Sequence, residues 1–555
     1  MNYSLILFIL LSFFPIFAQA APQQERIQAE QQRLLDEQFR QQDLQRTLKK
    51  PISSDIQKPN EFFEESTSKG CVTVSSVIFS GNLKIRSQRL NQIAKKYLNR
   101  CLTLPEIDQL LKDITNVYLI KGYITSKAFL VMPQPRLKEG VLEIKIVEGN
   151  VQNIEGLPAG QRKTAFPFIT GGILNLRDIE QGLEQINRLP SQNASMEILP
   201  SDQSGYSIIR IKNQESKTTA LHFMTDNAGA RSTGNHRTGG KLTQDNLFGI
   251  NDQFNINYMK APSKNKKRRD ANYATASYTV PFGYWTAANH FSYSDYRTNM
   301  TLSTGIPLYS LGSSMTNSTH LERLLARGQN FKLSANAGIT YKNNKNYTEV
   351  LDLKIKNTVS SRHLTVLHFG VSGTLFWNGG VLYLNPSYVQ GMRWFHALND
   401  RETTFRQKAQ YRAGKLYGYL SQTLGAGFSL NITADGQYSK NELFSSEGFY
   451  LGGEYSVRGF KNDGIQGDSG IVFRNDLNWH YKGLTLGSFF DWGTVQSNTP
   501  QTDRAVLSGA GTKAALSIKN IVLSASYAKP QHRSAGMMEL ESKAWYLSAQ
   551  ASLQF

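Results

Sequence analysis

The residues best equipped for chemistry in this chain are few, and none of them forms an obvious catalytic set. Residues 452–460 read Gly-Gly-Glu-Tyr-Ser-Val-Arg-Gly-Phe. Arg458 offers a rigid fork of donors that cannot lose its charge, so it needs a fixed anion. Gly453 and Gly459 allow the backbone to turn sharply or to approach another surface closely. A solvated surface turn would carry the same residues, so these nine positions leave both readings open. Cys71 and Cys101 are the only cysteines. No histidine lies near them, so a disulfide closing a loop of about thirty residues is the expected chemistry, with a structural role. The nine histidines are scattered, and neither H-E-x-x-H nor G-x-S-x-G occurs. Gly234 to Lys241 comes close to a phosphate-loop pattern but misses its spacing. Catalytic residues, metals and cofactors are therefore not expected.

Length and composition narrow the classes. The chain has 555 residues, of which 19% are charged and 11% aromatic, with 25 Tyr and 29 Phe against 6 Trp. The formal charge of +19 would suit nucleic acid, but the basic residues are dispersed apart from Lys264 to Arg269, which falls between two alternating segments. Nucleic-acid binding is not expected; anionic lipid headgroups or an acidic client fit the same balance. Residues 1–20 carry an apolar run, Leu5 to Phe17, followed by the small-x-small site Ala18-Gln19-Ala20, which reads as an export signal. No later run of eighteen apolar residues is present, so any passage through a membrane must use strands.

Residues 21–50 lack internal Gly and Pro and are rich in Gln, Glu, Arg and Leu, all strong helix formers. At about 1.5 Å per residue such a helix is roughly 40 Å long, enough to cross a bilayer-high pore. Its largely polar surface would suit a water-filled lumen, and a frayed leader or weak coiled coil has the same composition. Arg26, Arg33, Leu34, Phe39 and Arg40 are its candidate contacts in a plug. Residues 51–70 read as a linker. Residues 71–150 predict a strand over Val72 to Phe79 and a helix over Ser87 to Leu98. A second helix is capped by Thr103 and Glu106, with Pro105 in its first turn, and strands follow at Tyr123 to Met132 and Gly140 to Val147. Residues 151–215 repeat the order β-α-α-β-β, with helices near Ala165 and over Leu176 to Leu189.

From Ser216 the pattern becomes strict alternation. Phe254, Ile256 and Tyr258 interleave with Asn255 and Asn257. The chain ends on Trp545, Leu547, Ala549, Ala551, Leu553 and Phe555 on one face, against Tyr546, Ser548, Gln550, Ser552 and Gln554 on the other. One apolar and one polar face at period two describes strands with lipid outside and water inside. The expected fold is a transmembrane antiparallel β-barrel over residues 216–555, of about sixteen strands of 9–11 residues. In Leu484 to Gly493 the apolar positions are Leu484, Leu486, Phe490 and Trp492, so Thr485, Phe489 and Asp491 face the lumen.

Several phrases carry a family resemblance. Tyr118-Leu-Ile-Lys-Gly-Tyr-Ile-Thr125, Val147-Glu148-Gly149 and Leu176 to Pro190 resemble polypeptide-transport-associated (POTRA) domains. Val457-Arg458-Gly459-Phe460 together with Phe489-Phe490-Asp491 resembles the motif couple of the two-partner-secretion transporters, relatives of the barrel-assembly proteins. Phe460 stands where many members have Tyr. The resemblance implies a loop, about residues 453–470, folded back into the pore with Arg458 paired to Asp491. It also implies an N-terminal plug helix and two periplasmic POTRA domains. The implied function is secretion of one unfolded partner exoprotein, a haemolysin, adhesin or contact-dependent inhibition toxin, across the bacterial outer membrane by a monomer. A membrane-protein insertase is the alternative.

Overall fold

The computed structural model describes residues 24–49 apart from 26, 34, 38, 42 and 46. It also describes residues 70–555 apart from 168, 230–231, 263–268, 302–306, 351–352, 463, 500–503 and 535–541. The export segment, nearly all of the linker, Arg26, Leu34 and most of the basic run at Lys264 lie outside the described residues.

The first module departs from the expected pattern at its start. In place of one strand over Val72 to Phe79 there are two, Cys71–Val74 and Ser76–Ser80. The break falls at Ser75, whose N–H donates to the Gly140 carbonyl at 2.8 Å. Cys71–Val74 pairs antiparallel with Arg100–Thr103, a strand the sequence analysis did not anticipate. Ser76–Ser80 runs parallel to Val141–Val147, with Lys127–Leu130 on the other side of that strand. The last of these is shorter than Tyr123 to Met132 because Tyr123 to Ser126 turns: the Tyr123 N–H donates to the Tyr118 carbonyl and the Ser126 N–H to that of Tyr123.

Helix Leu104–Ile120 begins where Thr103 donates both its N–H (2.8 Å) and its hydroxyl (2.9 Å) to the Glu106 carboxylate. The Thr103 N–H, then its hydroxyl, holds the Glu106 carboxyl below the usual range, so this support is present above that range and fades as the pH falls through the lowered value. Two of the phrases that drew notice in the sequence meet here. The Tyr118 hydroxyl donates to Glu148 at 3.0 Å, and the same oxygen accepts the Lys84 N–H at 2.8 Å, which joins the helix to the end of the last strand.

A disulfide links Cys71 to Cys101, with Cα atoms 5.3 Å apart. Cys71→Ser with Cys101→Ser should destabilise this module by about 3–4 kcal/mol, the closure entropy of its loop. Limited proteolysis should then cut residues 71–147 faster than in the parent protein, and leave the rest of the chain unaffected.

The second module repeats the order. Asn150–Glu155 runs parallel to Tyr206–Glu215, which pairs antiparallel with Gln192–Pro200. Helices Ala159–Ala165 and Leu176–Asn187 cover one face, burying Phe166, Ile179, Leu183 and Ile186 against Val151, Ile154 and Ile209. Asn175 caps the longer helix by accepting the Arg177 N–H at 2.9 Å.

Residues 219–554 form a closed antiparallel barrel of 16 strands, sealed where the first, Thr219–Asp226, pairs with the last, Ala544–Gln554. Alternation follows the side-chain period: Ile256 and Tyr258 are 45% and 50% exposed on the outside, while Asn255 and Asn257 are buried inside. The strands are longer than expected, reaching 21 residues at Pro307–Arg327. A short extra strand, Leu353–Lys356, pairs with the far end of Phe331–Val350.

The second module is seated on the near end of this barrel. Gln185 donates to the Gly283 carbonyl (2.9 Å), and the Gly283 N–H donates to that of Thr164 (2.7 Å). Arg327 and Lys332 each lie 2.8 Å from Glu184. Gly283 has φ +58, and a Cβ there would come within 2.7 Å of the Pro167 ring, so close docking depends on that glycine.

Candidate functional site: the inward loop and the helix in the lumen

Between barrel strands Phe428–Ser439 and Ser469–Tyr481 the chain leaves the wall and folds into the lumen. Its stem is a hairpin of Phe449–Leu451 and Ile465–Gly467, so the loop is longer than residues 453–470. Val457 and Phe460 are fully buried, packed with Leu451, Val472, Val495 and Leu507. Gly459 has φ +107, and a Cβ there would lie 2.9 Å from the Lys529 and Pro530 backbone of the wall. That close approach requires glycine.

Arg458 is then held by three partners. Its Nε donates to Asp491 Oδ2 at 2.7 Å, its Nη2 to Asp491 Oδ1 at 2.6 Å, and its backbone N–H to Asp491 Oδ2 at 3.0 Å. Asp491 has no exposed surface. This is bidentate, charge-assisted pairing, which fixes orientation as well as proximity. The guanidinium also lies over the Phe489 ring, 3.6 Å from its centroid. Asp476 is a third partner, accepting Arg458 Nη1 at 2.9 Å and the Lys513 ammonium at 2.8 Å. Neither Asp476 nor Lys513 was singled out from sequence. Parity would have turned Asp476 inward, because Phe473 and Leu477 alternate with it. Only the strand register, in which Asp476 faces Phe489, brings it to the height of Arg458.

A helix over residues 24–47 lies in the lumen beside the loop, with a cavity left between it and the wall. Ile27 and Leu35 pack on Met259, Ala261, Ala271, Tyr273 and Tyr296 of the wall, and its other contacts are mostly polar. Gln24 donates to the Tyr347 carbonyl (3.2 Å) and Gln28 to that of Ser313 (3.1 Å), while Gln32 accepts the Thr316 hydroxyl (3.0 Å). Glu25 pairs with Arg362, and Arg40 with Asp435 at 2.5 Å. Phe39 packs against the His290 ring, with centroids 4.5 Å apart. Arg33 reaches the inward loop: its Nη1 donates to the Gly452 carbonyl at 3.2 Å, and its guanidinium lies over Tyr450 at 4.3 Å. At the near end Lys49 donates to the Asn187 carbonyl of the second module. The helix is therefore tied to the wall, the loop and the docked module together. Among the described residues no cluster of side chains is suited to hold a metal ion.

This geometry can be set beside known proteins. The family described as haemolysin secretion/activation protein ShlB/FhaC/HecB matches residues 205–516. The chain belongs to that family. A ShlB-type POTRA domain matches residues 72–149, and a further POTRA domain matches residues 143–200. The outer membrane transporter CdiB of Dickeya dadantii (strain 3937) is 35% identical over 412 residues, covering 74% of this chain and 72% of the relative. The hemolysin transporter protein ShlB of Serratia marcescens is 30% identical over 415 residues, covering 74% and 72%. Among solved structures, CdiB from Escherichia coli superposes with a TM-score of 0.85 at 29% identity, covering 96% of this chain and 99% of that one. As a member of the ShlB/FhaC/HecB family the chain is an outer-membrane transporter of two-partner secretion rather than an enzyme. Its POTRA domains lie in the periplasm, so the near end of the barrel is the periplasmic end.

Proposed function

We propose that this transporter takes one unfolded exoprotein of the haemolysin, adhesin or contact-dependent inhibition class from its POTRA domains. It then passes that chain outward through the barrel without ATP. The observation that carries the reading is the helix at residues 24–47. It stands in the lumen mainly on hydrogen bonds and ion pairs that water can replace, with one small apolar cluster at Ile27 and Leu35, which suits it to leave. In the second POTRA domain, Gln192–Pro200 is an edge strand able to accept an extended segment by strand addition, whereas the edge at Asn150–Glu155 is partly taken by residues 171–174. Once the helix withdraws, a sixteen-strand barrel encloses a channel for an extended chain or hairpin and excludes a folded domain. Folding outside then makes the passage one-way. The working unit is a single copy, since one barrel encloses the whole path.

Deleting the gene should remove one large exoprotein from the medium and leave the complement of outer-membrane barrels unchanged. Depletion of many barrels would overturn the secretion reading in favour of an insertase.

A further inference from the structure

The outer face of the barrel carries a group of cations at its extracellular end that transport does not use. Strand Phe331–Val350 begins at the periplasmic end, where Lys332 meets Glu184, so Tyr347 and its neighbours lie at the opposite, extracellular end. On this strand Phe331, Leu333 and Tyr341 face outward, and the same parity turns Lys345 and Tyr347 outward. The short strand Leu353–Lys356 pairs with that end, setting Lys356 opposite Tyr347 and Lys354 opposite Glu349. All three lysines are exposed. The Lys354 ammonium lies over the Tyr347 ring, 4.4 Å from its centroid. His363 lies within electrostatic reach of Lys345, Lys356 and His396. Glu349 is taken by Arg297, and among the described residues no carboxylate forms a salt bridge with Lys345, Lys354 or Lys356.

The height of this group decides what it meets. Aromatic rings mark the boundary between hydrocarbon and headgroups on a membrane barrel. Tyr341 and Phe395 form such a pair on this face, with centroids 6.5 Å apart, and Phe395 is 62% exposed. Lys345 lies four residues beyond Tyr341, and Lys356 and Lys354 lie opposite residues 347 and 349, all on the headgroup side of this boundary. Three neighbouring ammonium groups without a protein counter-ion, above an aromatic boundary, form a surface for a multiply charged anionic headgroup.

The geometry points to Lys345, Lys354 and Lys356 as a binding site for the phosphates of a phosphorylated glycolipid of the outer leaflet, of the lipid A type. The Tyr347 ring holds the Lys354 ammonium beside the other two cations.

The test uses the full-length protein in detergent, with lipid retention read by native mass spectrometry. Bisphosphorylated lipid A should be retained by the parent protein. Retention should be roughly a hundredfold weaker in K345Q/K354Q/K356Q, the loss of three basic residues at an anionic surface. A folded, heat-modifiable band on an unheated gel shows that the variant barrel is intact. Dephosphorylated lipid A should bind the two proteins equally and weakly. Equal retention of bisphosphorylated lipid A by parent and variant overturns the site. Equally tight binding of phosphatidylglycerol by the parent overturns its assignment to the outer-leaflet glycolipid.

Discussion

Arg458→Ala should reduce exoprotein in the medium by more than tenfold while the barrel still folds and inserts. The substitution removes two charge-assisted hydrogen bonds to Asp491 and one to Asp476. It leaves a carboxylate with no exposed surface holding only the backbone N–H of residue 458. Breaking a buried pair from one side costs about 3–5 kcal/mol, because the remaining charge is uncompensated. The barrel can bear that, since its strands pair independently of the loop; the loop's inward position cannot. Asp491→Asn should be milder, because Arg458 keeps Asp476 and the face of Phe489. Exchanging the pair, Arg458→Asp with Asp491→Arg, should not restore secretion, since it sets a second carboxylate beside Asp476. Full recovery by the exchange would mean that Asp476 and Lys513 are idle. Secreted exoprotein quantified beside a heat-modifiability gel separates these outcomes.

Removing residues 24–47 should convert a nearly closed pore into one that is open most of the time in planar-bilayer recordings. The helix runs through the lumen, and nothing else described there would close it: the inward loop occupies one side, against Val472, Val495 and Leu507. A smaller change should give a graded result. Glu25→Ala removes the pair with Arg362, a group almost wholly buried in the wall. Loss of about 1–2 kcal/mol there corresponds to a five- to thirtyfold rise in the ratio of open to closed states. Arg40→Ala should do less, because Arg40 and Asp435 are each about one-third exposed and solvent screens the pair. Unchanged conductance after the full deletion would rule out the helix as the resting block.

What the sequence discloses here depends on how rigid the underlying period is. Along a barrel strand the side-chain period is two and does not drift, so Phe490 and Trp492 on the outside fix Asp491 on the inside, which is the side where Arg458 lies. The same rule applies to Asp476 and Lys513, but alternation says nothing of height. That requires the register between strands, which hydrogen bonds set and a single sequence does not display. The helix in the lumen was harder to read for a different reason. An apolar stripe identifies a helix that packs on an apolar core. This one sets only Ile27 and Leu35 against an apolar patch of the wall and otherwise packs on Gln, Ser, Thr, Asn and charged groups, so its largely polar surface matches both a plug and a frayed leader. In the first POTRA domain the strand-like stretch from Val72 to Phe79 contains no Gly or Pro. It hides the break at Ser75, where the chain passes from one small sheet to another. Arg100–Thr103 escaped notice because its four residues run directly into the cap of the next helix.

The stretch between Lys49 and Gly70 gives the helix a leash. Twenty residues reach at most about 70 Å when fully extended. A helix expelled by the exoprotein therefore stays within a small volume beside the mouth it came from. On the proposed reading its re-entry is an intramolecular event, at an effective concentration set by the length of those twenty residues rather than by diffusion from solution. The channel can thus reseal after each passage with no new synthesis and no dependence on how many transporters the membrane holds.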